Sequence, residues 1–184
     1  LPIWTDDFFF LESDGDAARK LVCDLVTTRL PRSYGFDPIR DIQVLCPTKL
    51  GPTGTQALNV ELQNLLNPEQ KGKPQLQSAS RVFRVGDKVM QVRNNYEIVW
   101  NRIGGEQGVG AYNGDIGIVE SINPRDRSMV VRMDDRRLIY PAENLGELEI
   151  AYAITVHKSQ GSEFPAVILP VAQRSEERRV GKEC

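Results

Sequence analysis

The arrangement of apolar residues changes twice along this chain, and this limits the folds it can adopt. Up to about Ser80, apolar residues recur at helical spacing between short apolar runs, as in helices that alternate with buried strands. From there to Glu147 the runs are short, alternate with polar residues and are separated by turn dipeptides. Beyond Leu148 the first pattern returns. We therefore expect an α/β domain, formed by 1–79 and 148–173, with a small antiparallel barrel inserted at 80–147.

The α/β part has the order strand, helix, strand, loop, helix, which is typical of a parallel sheet. The aromatic run 8–11 predicts a buried strand, 42–46 predicts a second, and 166–169 predicts a third after the barrel. Ser13 and Asp14 can cap the first helix, which we expect to end at Pro31 because proline disrupts a helix interior. The next helix carries Leu58, Leu62, Leu65 and Leu66, stops before Pro68 and follows a loop at 47–54.

In the barrel, four alternating runs predict strands at 88–92, 116–122, 129–133 and 137–140. The dipeptides Asn113–Gly114 and Asn123–Pro124 are turn signals between them. The glycine-rich stretch 104–110, GGEQGVG, predicts a mobile loop.

Composition excludes several classes of protein. The chain is 40% hydrophobic and 26% charged, as in a folded globular domain, and no apolar run approaches the roughly 20 residues of a membrane helix. A net charge of -2 argues against binding nucleic acid over the whole surface, although one positive groove would suffice. Cys23 and Cys46 lie in apolar patterns, which indicates buried thiols in a reducing cytoplasm. With one histidine, His157, and no cysteine pair at ligand spacing, we predict no metal site.

Two catalytic motifs are absent from the sequence. No G-x-x-x-x-G-K-[ST] occurs in it, so no P-loop of this chain can hold a triphosphate. There is also no nucleophile elbow.

The segment richest in chemistry is 153–170, AITVHKSQGSEFPAVILP. Thr155, His157, Lys158 and Ser159 place short polar and cationic donors at a predicted strand-to-helix junction, where helix amides also point outward. Such donors suit a single-stranded DNA phosphate, which they would hold without reading its base sequence. The alternative is a capped helix with a histidine satisfied in the core.

This segment resembles motif V of superfamily-1 helicases, in the form of the RecD-like enzymes, where T-V-H-K-S-Q-G-S-E-F precedes an apolar strand. Three further blocks resemble the same family in the same order: residues 41–68, then FRVGDKVMQVRNNYE with YNGDIGIVESI, then LGELEIAYAITVHKSQGSEF. The resemblance implies a RecA-like (P-loop NTPase-type) second motor domain, incomplete at its end, with an inserted SH3-like barrel. It also implies an ATP-dependent DNA helicase that moves 5′ to 3′ on single-stranded DNA and uses ATP and Mg²⁺.

The resemblance also implies roles for single residues. Gln160, Gly161 and Glu163 would face the nucleotide, with Glu163 accepting a hydrogen bond from the ATP ribose. Lys49 would reach the nucleotide phosphates, although the family has its basic residue where Leu50 stands here. A solvated lysine is the alternative for Lys49.

In the barrel, a basic and aromatic stretch comprises Arg81, Arg84, Lys88, Arg93, Tyr96 and Trp100. We interpret most of its charges as an outward, solvated strand face. The inserted barrel of the resembling helicases contacts single-stranded DNA, and we assign this contact to Arg93, Asn94 and Asn95.

The two ends of the chain suggest a fragment. The start has no initiator Met and no signal-peptide pattern, and 174–184, RSEERRVGKEC, resembles the translation of a sequencing adapter. We expect the parent to be cytoplasmic, and its partners to be DNA with a single-stranded end and, in one variant, subunits of a nuclease complex. Two rivals remain: a stand-alone DNA-binding module, and another superfamily-1 motor such as a conjugative relaxase-helicase or the alpha subunit of the RecBCD nuclease complex.

Because the P-loop is missing, we expect the 184-residue chain alone to hydrolyse no ATP and to unwind no DNA. A coupled ATPase assay on the purified chain, with and without single-stranded DNA, measures this. DNA-stimulated turnover above a heat-denatured control would contradict it.

Overall fold

The computed structural model describes residues 8–13, 15–79, 81–102 and 104–171. Within them the helices are α1 (Gly15–Asp24), α2 (Leu30–Tyr34) and α3 (Thr55–Leu66). The strands are β1 (Ile42–Cys46), β2 (Gln75–Ser78), β3 (Arg81–Arg84), β4 (Lys88–Gln91), β5 (Asn95–Arg102), β6 (Gln107–Ala111), β7 (Ile116–Asn123), β8 (Ser128–Met133), β9 (Arg136–Tyr140), β10 (Leu148–Ile150), β11 (Ala153–Thr155) and β12 (Ala166–Ile168). The predicted tail at 174–184 and the predicted cap Asp14 lie outside the described residues.

The prediction that the first helix ends at Pro31 is wrong. A π-helical turn, Leu25–Arg29, joins α1 to α2, so the helical segment continues through this proline to Tyr34. Pro31 stands in the first turn of α2, where a missing amide and a fixed φ are tolerated. The segment ends instead at Gly35, which has φ of 73° and donates its amide to the Pro31 carbonyl.

A three-stranded parallel sheet has the order β11-β1-β12. Val44 pairs with Ala153 on one side and with Ile168 on the other. The prediction of strand β1 is confirmed, whereas that of a buried strand at 8–11 is wrong. Phe8, Phe9 and Phe10 form no strand and remain exposed, because strand propensity is realised only where a sheet edge accepts the pairing.

The two faces of β1 meet different neighbours. Ile42, Val44 and Cys46 face the helices and pack with residues of α1 and α3 in one apolar cluster. Leu45 lies on the opposite face and packs in a second cluster with Met90 of β4. The strand predicted at 166–169 is confirmed as β12, but its predicted burial is wrong for Val167 and Leu169, which are exposed at the sheet edge. The helix predicted around Leu58 and Leu62 is confirmed as α3.

The second sheet is a seven-stranded antiparallel one with the order β10-β4-β7-β8-β9-β5-β6. It includes the four strands that the sequence predicts, and its interior holds an apolar cluster with Phe83, Val131, Leu138 and Tyr140. The β2–β3 hairpin adds Leu76 and Phe83 to that cluster. The apolar residues 150–154 divide between the two sheets, with Ile150 in β10 of the barrel and Ala153 and Ile154 in β11, which pairs with β1.

The prediction of a mobile loop at 104–110 is wrong for its second half, which forms β6. Gly108 lies directly beneath the Trp100 side chain, and a Cβ at this position would overlap the indole ring. Gly110 has φ of 114°, and a Cβ at this position would stand 3.0 Å from the Tyr112 hydroxyl. These glycines therefore allow a close approach of aromatic rings to a strand, not flexibility.

The predicted solvated face is also wrong for two of its members. Arg84 is 9% exposed and Lys88 is 3% exposed, and both lie where the barrel meets the α/β part. The Arg84 guanidinium donates to the carbonyl of Asn67 and to the side chain of Asn64, both near the end of α3. The expected domain division at 79/80, 147/148 and 173/174 stays a prediction.

Asp87 lies at the centre of this junction and is fully buried. Its carboxylate accepts hydrogen bonds from the side chains of Gln63 and Asn67, each at 2.6 Å, and from the Tyr152 hydroxyl at 2.9 Å. The Arg84 amide donates a fourth, at 2.7 Å. Burial raises the pKa of Asp87, although these donors oppose the shift. One carboxylate thus connects α3, the start of β4 and the residue before β11.

Replacing Asp87 with alanine should leave these buried donors unpaired. We expect Asp87→Ala to lower the free energy of unfolding by about 3 kcal/mol, measured by urea denaturation. Asp135→Ala is the control, because Asp135 is an exposed carboxylate paired with Arg102, and its loss should change stability by less than about 0.5 kcal/mol. Equal losses in the two variants would show that the buried network does not stabilise the junction.

Candidate functional site

A crevice opens at the carboxyl ends of β1 and β11. Because these strands are parallel neighbours, the residues that follow them meet at one edge of the sheet. Lys49 lies three residues after β1, Thr155 ends β11, and Lys158 lies three residues after Thr155. All three line the crevice, and the remaining lining residues are Thr55, Asn59, Met90, Glu149, Ile150, Ala153 and Ile154. Two predicted DNA-contacting residues and one predicted nucleotide-contacting residue therefore share one crevice.

The loop that carries Lys49 is folded back on the start of α3. The amides of Thr55 and Gln56 donate to the carbonyls of Thr48 and Lys49, at 3.2 and 3.1 Å. Gly54 permits this close turn, because a Cβ there would stand 2.5 Å from the Leu50 carbonyl oxygen. The first two amides of α3 are thus satisfied within the chain, and the side chains, not these amides, are free to hold a ligand.

Asn59 of α3 holds the edge strand β11 in place. Its side-chain amide donates to the Ala153 carbonyl and accepts from the Ala153 amide, both at 2.8 Å. The pair replaces the ladder bonds that a further strand would make, and so places Thr155 at the crevice. Sequence reasoning missed Asn59, and its only signal was a polar residue on the otherwise apolar face of the predicted helix.

The crevice is electropositive. Burial lowers the pKa of Lys158, and the positive charges of Lys49 and Arg81 lower it further, while Glu149 raises it. Glu149 also pairs with the Arg81 guanidinium at 3.1 Å, so one negative charge is shared among three cations. Two ammonium groups are thus held near each other, an arrangement that an anion would stabilise.

The rest of the predicted motif is a surface segment. After β11, a 3-10 turn (Val156–Ser159) takes the place of the predicted helix start. The Ser159 hydroxyl donates to the Val156 carbonyl at 2.7 Å, and the Ser162 amide donates to the Ser159 carbonyl at 3.0 Å. Gly161 has φ of 83°, a conformation that favours glycine.

The side chains of His157, Gln160 and Glu163 are exposed in this segment, which excludes the alternative of a satisfied core histidine. None of the three lines the crevice with Lys158. The segment therefore presents two sets of groups: Thr155 and Lys158 in the crevice, and Gln160 to Glu163 on the surface beyond it.

Two of the barrel residues predicted to contact DNA, Arg93 and Asn95, bind the carboxylate of Glu147. The Asn95 side chain donates to both Glu147 carboxylate oxygens, at 3.0 and 2.9 Å, and Arg93 pairs with it at 3.1 Å. Burial opposes ionisation of Glu147, but these donors, with Asn144 and Gln91, bring its pKa below the ordinary value. Asn95 is thus committed within the chain, whereas the Arg93 side chain stays 64% exposed.

Asn94 is also partly engaged, and it lies beside two aromatic rings. Its side-chain oxygen accepts the amide of Asn113 at 2.9 Å. Tyr96 and Tyr112 meet edge to face with ring centroids 6.1 Å apart, and both are exposed. Sequence reasoning did not single out Tyr112, because it comes sixteen residues after Tyr96 in the chain and adjoins it only through the pairing of β5 with β6.

Residues 8–13, 15–79, 81–102 and 104–171 contain no group of three or more His, Cys, Asp or Glu side chains that could hold a metal ion. In the same part of the chain, no helix has the length and apolar character needed to cross a membrane.

Two family models match the sequence. Residues 58–133 match the model described as "ATP-dependent RecD-like DNA helicase SH3 domain". Residues 150–180 match the model described as "UvrD-like helicase C-terminal domain". With the two sheets seen in the structure, these matches confirm the predicted fold class, a RecA-like α/β domain with an inserted SH3-like barrel.

Two sequence relatives agree with these matches. Over 127 residues the chain is 34% identical to the ATP-dependent RecD2 DNA helicase of Deinococcus radiodurans, covering 69% of this chain and 16% of that protein. Over 131 residues it is 29% identical to the RecBCD enzyme subunit RecD of Mycobacterium tuberculosis, covering 71% and 20%. The chain thus spans at most a fifth of the length of these two relatives. The Pif1 helicase from Bacteroides, solved in complex with ADP-AlF3 and ssDNA, aligns at 21% identity with a TM-score of 0.47, covering 85% of this chain and 39% of that one.

The charges around Lys158 make opposite changes testable. Lys49→Met removes a nearby positive charge, so we expect the pKa of Lys158 to rise. Glu149→Gln removes the negative charge, so we expect the same pKa to fall. Nuclear magnetic resonance titration of the lysine side chains measures both. Shifts of the same sign in the two variants would contradict the electrostatic description of the crevice.

Proposed function

Since the chain belongs to the RecD-like DNA helicases of superfamily 1, we propose that it is a segment of an ATP-dependent DNA helicase. In that parent it would supply the second RecA-like motor domain and the inserted barrel. The sequence has no P-loop, so the lysine and the Mg²⁺-binding carboxylate that cleave ATP would come from another part of the parent. The parent would act in the cytoplasm, where its DNA substrate and reduced buried thiols are found.

The observation that carries this proposal is the convergence of Lys49, Thr155 and Lys158 on one crevice. Two cations and a hydroxyl supply the charge and the donors that a phosphodiester requires, and no base-specific geometry is needed for it. Binding a DNA phosphate there would relieve the repulsion between the lysines and release counterions. The crevice residues would therefore grip single-stranded DNA.

For Lys49 this is a change of role. Its neighbours in the crevice are the residues assigned to DNA, so we assign it to a DNA phosphate and not to the nucleotide. Gln160, Gly161 and Glu163, on the exposed segment beyond the crevice, would form one wall of the ATP site. There the Glu163 carboxylate could accept a hydrogen bond from a ribose hydroxyl. In the barrel, the exposed guanidinium of Arg93 would be the group that reaches DNA, with Asn94 beside it.

The crevice and the nucleotide wall adjoin in sequence, which suggests how the motor would work. A change in the position of Glu163 on ATP binding or release would change the position of Lys158, five residues away on the same segment. Closure and opening of the two motor domains would then move the strand one step per cycle, 5′ to 3′. Partners could include nuclease subunits, since one relative is a subunit of the RecBCD enzyme.

Single-stranded DNA binding by the chain tests the proposal. Fluorescence anisotropy with a labelled dT oligonucleotide of about 12 nucleotides gives the affinity at several salt concentrations. We expect Lys158→Met to weaken binding about tenfold and to reduce the salt-dependence slope by about 0.7, the value for one single-strand phosphate contact.

The matched control is Lys71→Met, which removes an exposed lysine that lies in a turn and does not line the crevice. It should leave both affinity and slope nearly unchanged. A chain that binds no single-stranded DNA, or one in which the two variants weaken binding equally, would contradict the role of the crevice.

A further inference from the structure

Strand β4 of the barrel is buried on both of its faces. Lys88, Val89, Met90 and Gln91 are each 3% exposed or less. Side chains alternate along a strand, so Val89 and Gln91 point one way, into the barrel, where Gln91 bonds Glu147 and Tyr140. Lys88 and Met90 point the other way, toward the parallel sheet. The barrel thus supplies a wall for the second face of that sheet.

The ammonium group of Lys88 is buried in this interface and contacts no carboxylate among the described residues. Its ammonium donates to the Ile42 carbonyl at 3.1 Å and lies 5.7 Å from the centre of the Phe164 ring. It makes no ion pair with any residue in the described part of the chain. The charges that act on it are those of Asp37 and Asp41, in the loop before β1.

Phe164 is the residue directly after Glu163, at the returning end of the surface segment. Beyond its contact with Lys88, it packs against the cluster of Met90, Ala151 and Ile154. Met90 also lines the crevice with Lys158. Lys88 therefore contacts the residue next to Glu163, while Met90 packs near Phe164 and lines the crevice with Lys158.

A charged lysine in this position is costly. Burial lowers its pKa to about 8, because the folded state disfavours the ammonium. A methionine would fill the same space at lower cost, so packing alone does not account for the charge. What the charge adds is attraction to the Ile42 carbonyl and to the face of the Phe164 ring.

We propose that Lys88 is a positioning residue: through Ile42 and Phe164 it fixes the returning end of segment 156–164, so that the barrel sets the orientation of Glu163. The role given to Glu163 rests on the proposed function, whereas the hold on the segment does not. In the parent, the same contact would couple DNA binding at the barrel to ATP binding at the nucleotide wall. The coupling free energy would be the same in both directions.

The test compares Lys88→Met with wild type by amide hydrogen exchange, on the whole chain without ligand. We expect amides at 160–164 to exchange about tenfold faster in the variant, the effect of losing one desolvated cation–π contact. Amides of β8 and β9, which Lys88 does not contact, should be unchanged, and the free energy of unfolding should not fall, since a costly buried charge has been removed. A purely structural role would lower stability and loosen all of these regions together. Lys71→Met is again the matched control.

A pH series adds a readout specific to the charge. Above about pH 8 the wild-type ammonium loses its proton, so protection of 160–164 should decline toward that of Lys88→Met, which lacks the group. Global stability should move in the opposite direction. The penalty of the buried charge is present below the folded pKa and is relieved as pH rises from about 8 toward the unfolded value of 10.5. Wild type should therefore gain stability relative to the variant over this window.

Equal exchange at 160–164 in wild type and Lys88→Met would overturn the inference. Should that variant fail to fold, Phe164→Leu and Phe164→Tyr decide instead, because tyrosine keeps the aromatic face and leucine does not. Loosening by both or by neither would count against the inference. The exchange measurement needs no DNA. Failure of the chain to bind DNA would therefore contradict the proposed function without affecting the inference about Lys88.

Discussion

The buried strand β4 is the constraint on which the arrangement of this chain depends. A strand at a barrel surface normally shows one face to solvent, but here both faces are covered, by the barrel core and by the parallel sheet. At its start, Asp87 adds a fully buried carboxylate that binds donors from α3 and from Tyr152. Separating the two units would expose both the apolar face and this network. Burial and hydrogen bonding therefore act together at one place.

The geometry of the candidate site depends on this junction between the barrel and the parallel sheet. Its cations come from loops of the α/β part, whereas Met90 and Glu149 reach it from barrel strands. The parallel pairing of β1 with β11 brings Lys49 and Lys158 to the same edge although 109 residues separate them in the chain. Lys49, Lys158 and the nearby Arg81 outnumber the one carboxylate, Glu149, so an anion is favoured in the crevice. Neither unit alone would form it.

Much of the site could be predicted because its residues are contiguous. Thr155, His157, Lys158 and Glu163 lie in one short string, and a string keeps its order whatever the surrounding fold. The family resemblance assigns Lys49 to the nucleotide phosphates, and that assignment stays a prediction. The structure shows that Lys49 lies beside Thr155 and Lys158, which no local pattern indicates. The partners of Arg93 and Asn95 could not be foreseen either. Glu147, which binds both, is more than fifty residues away.

The amino-acid sequence by itself determined that an α/β domain is interrupted by a small barrel, that α3 and β1 form where they do, and that no P-loop is present. Each of these follows from spacing or composition within a short window, where local propensity and side-chain alternation decide the outcome. Only the tertiary structure decided that Lys88 and Arg84 are buried and that the glycines of β6 lie under aromatic rings. It also decided that residues 8–11 remain exposed. Burial is set by what another part of the chain brings to the same place, and a local pattern carries no information about that distant partner.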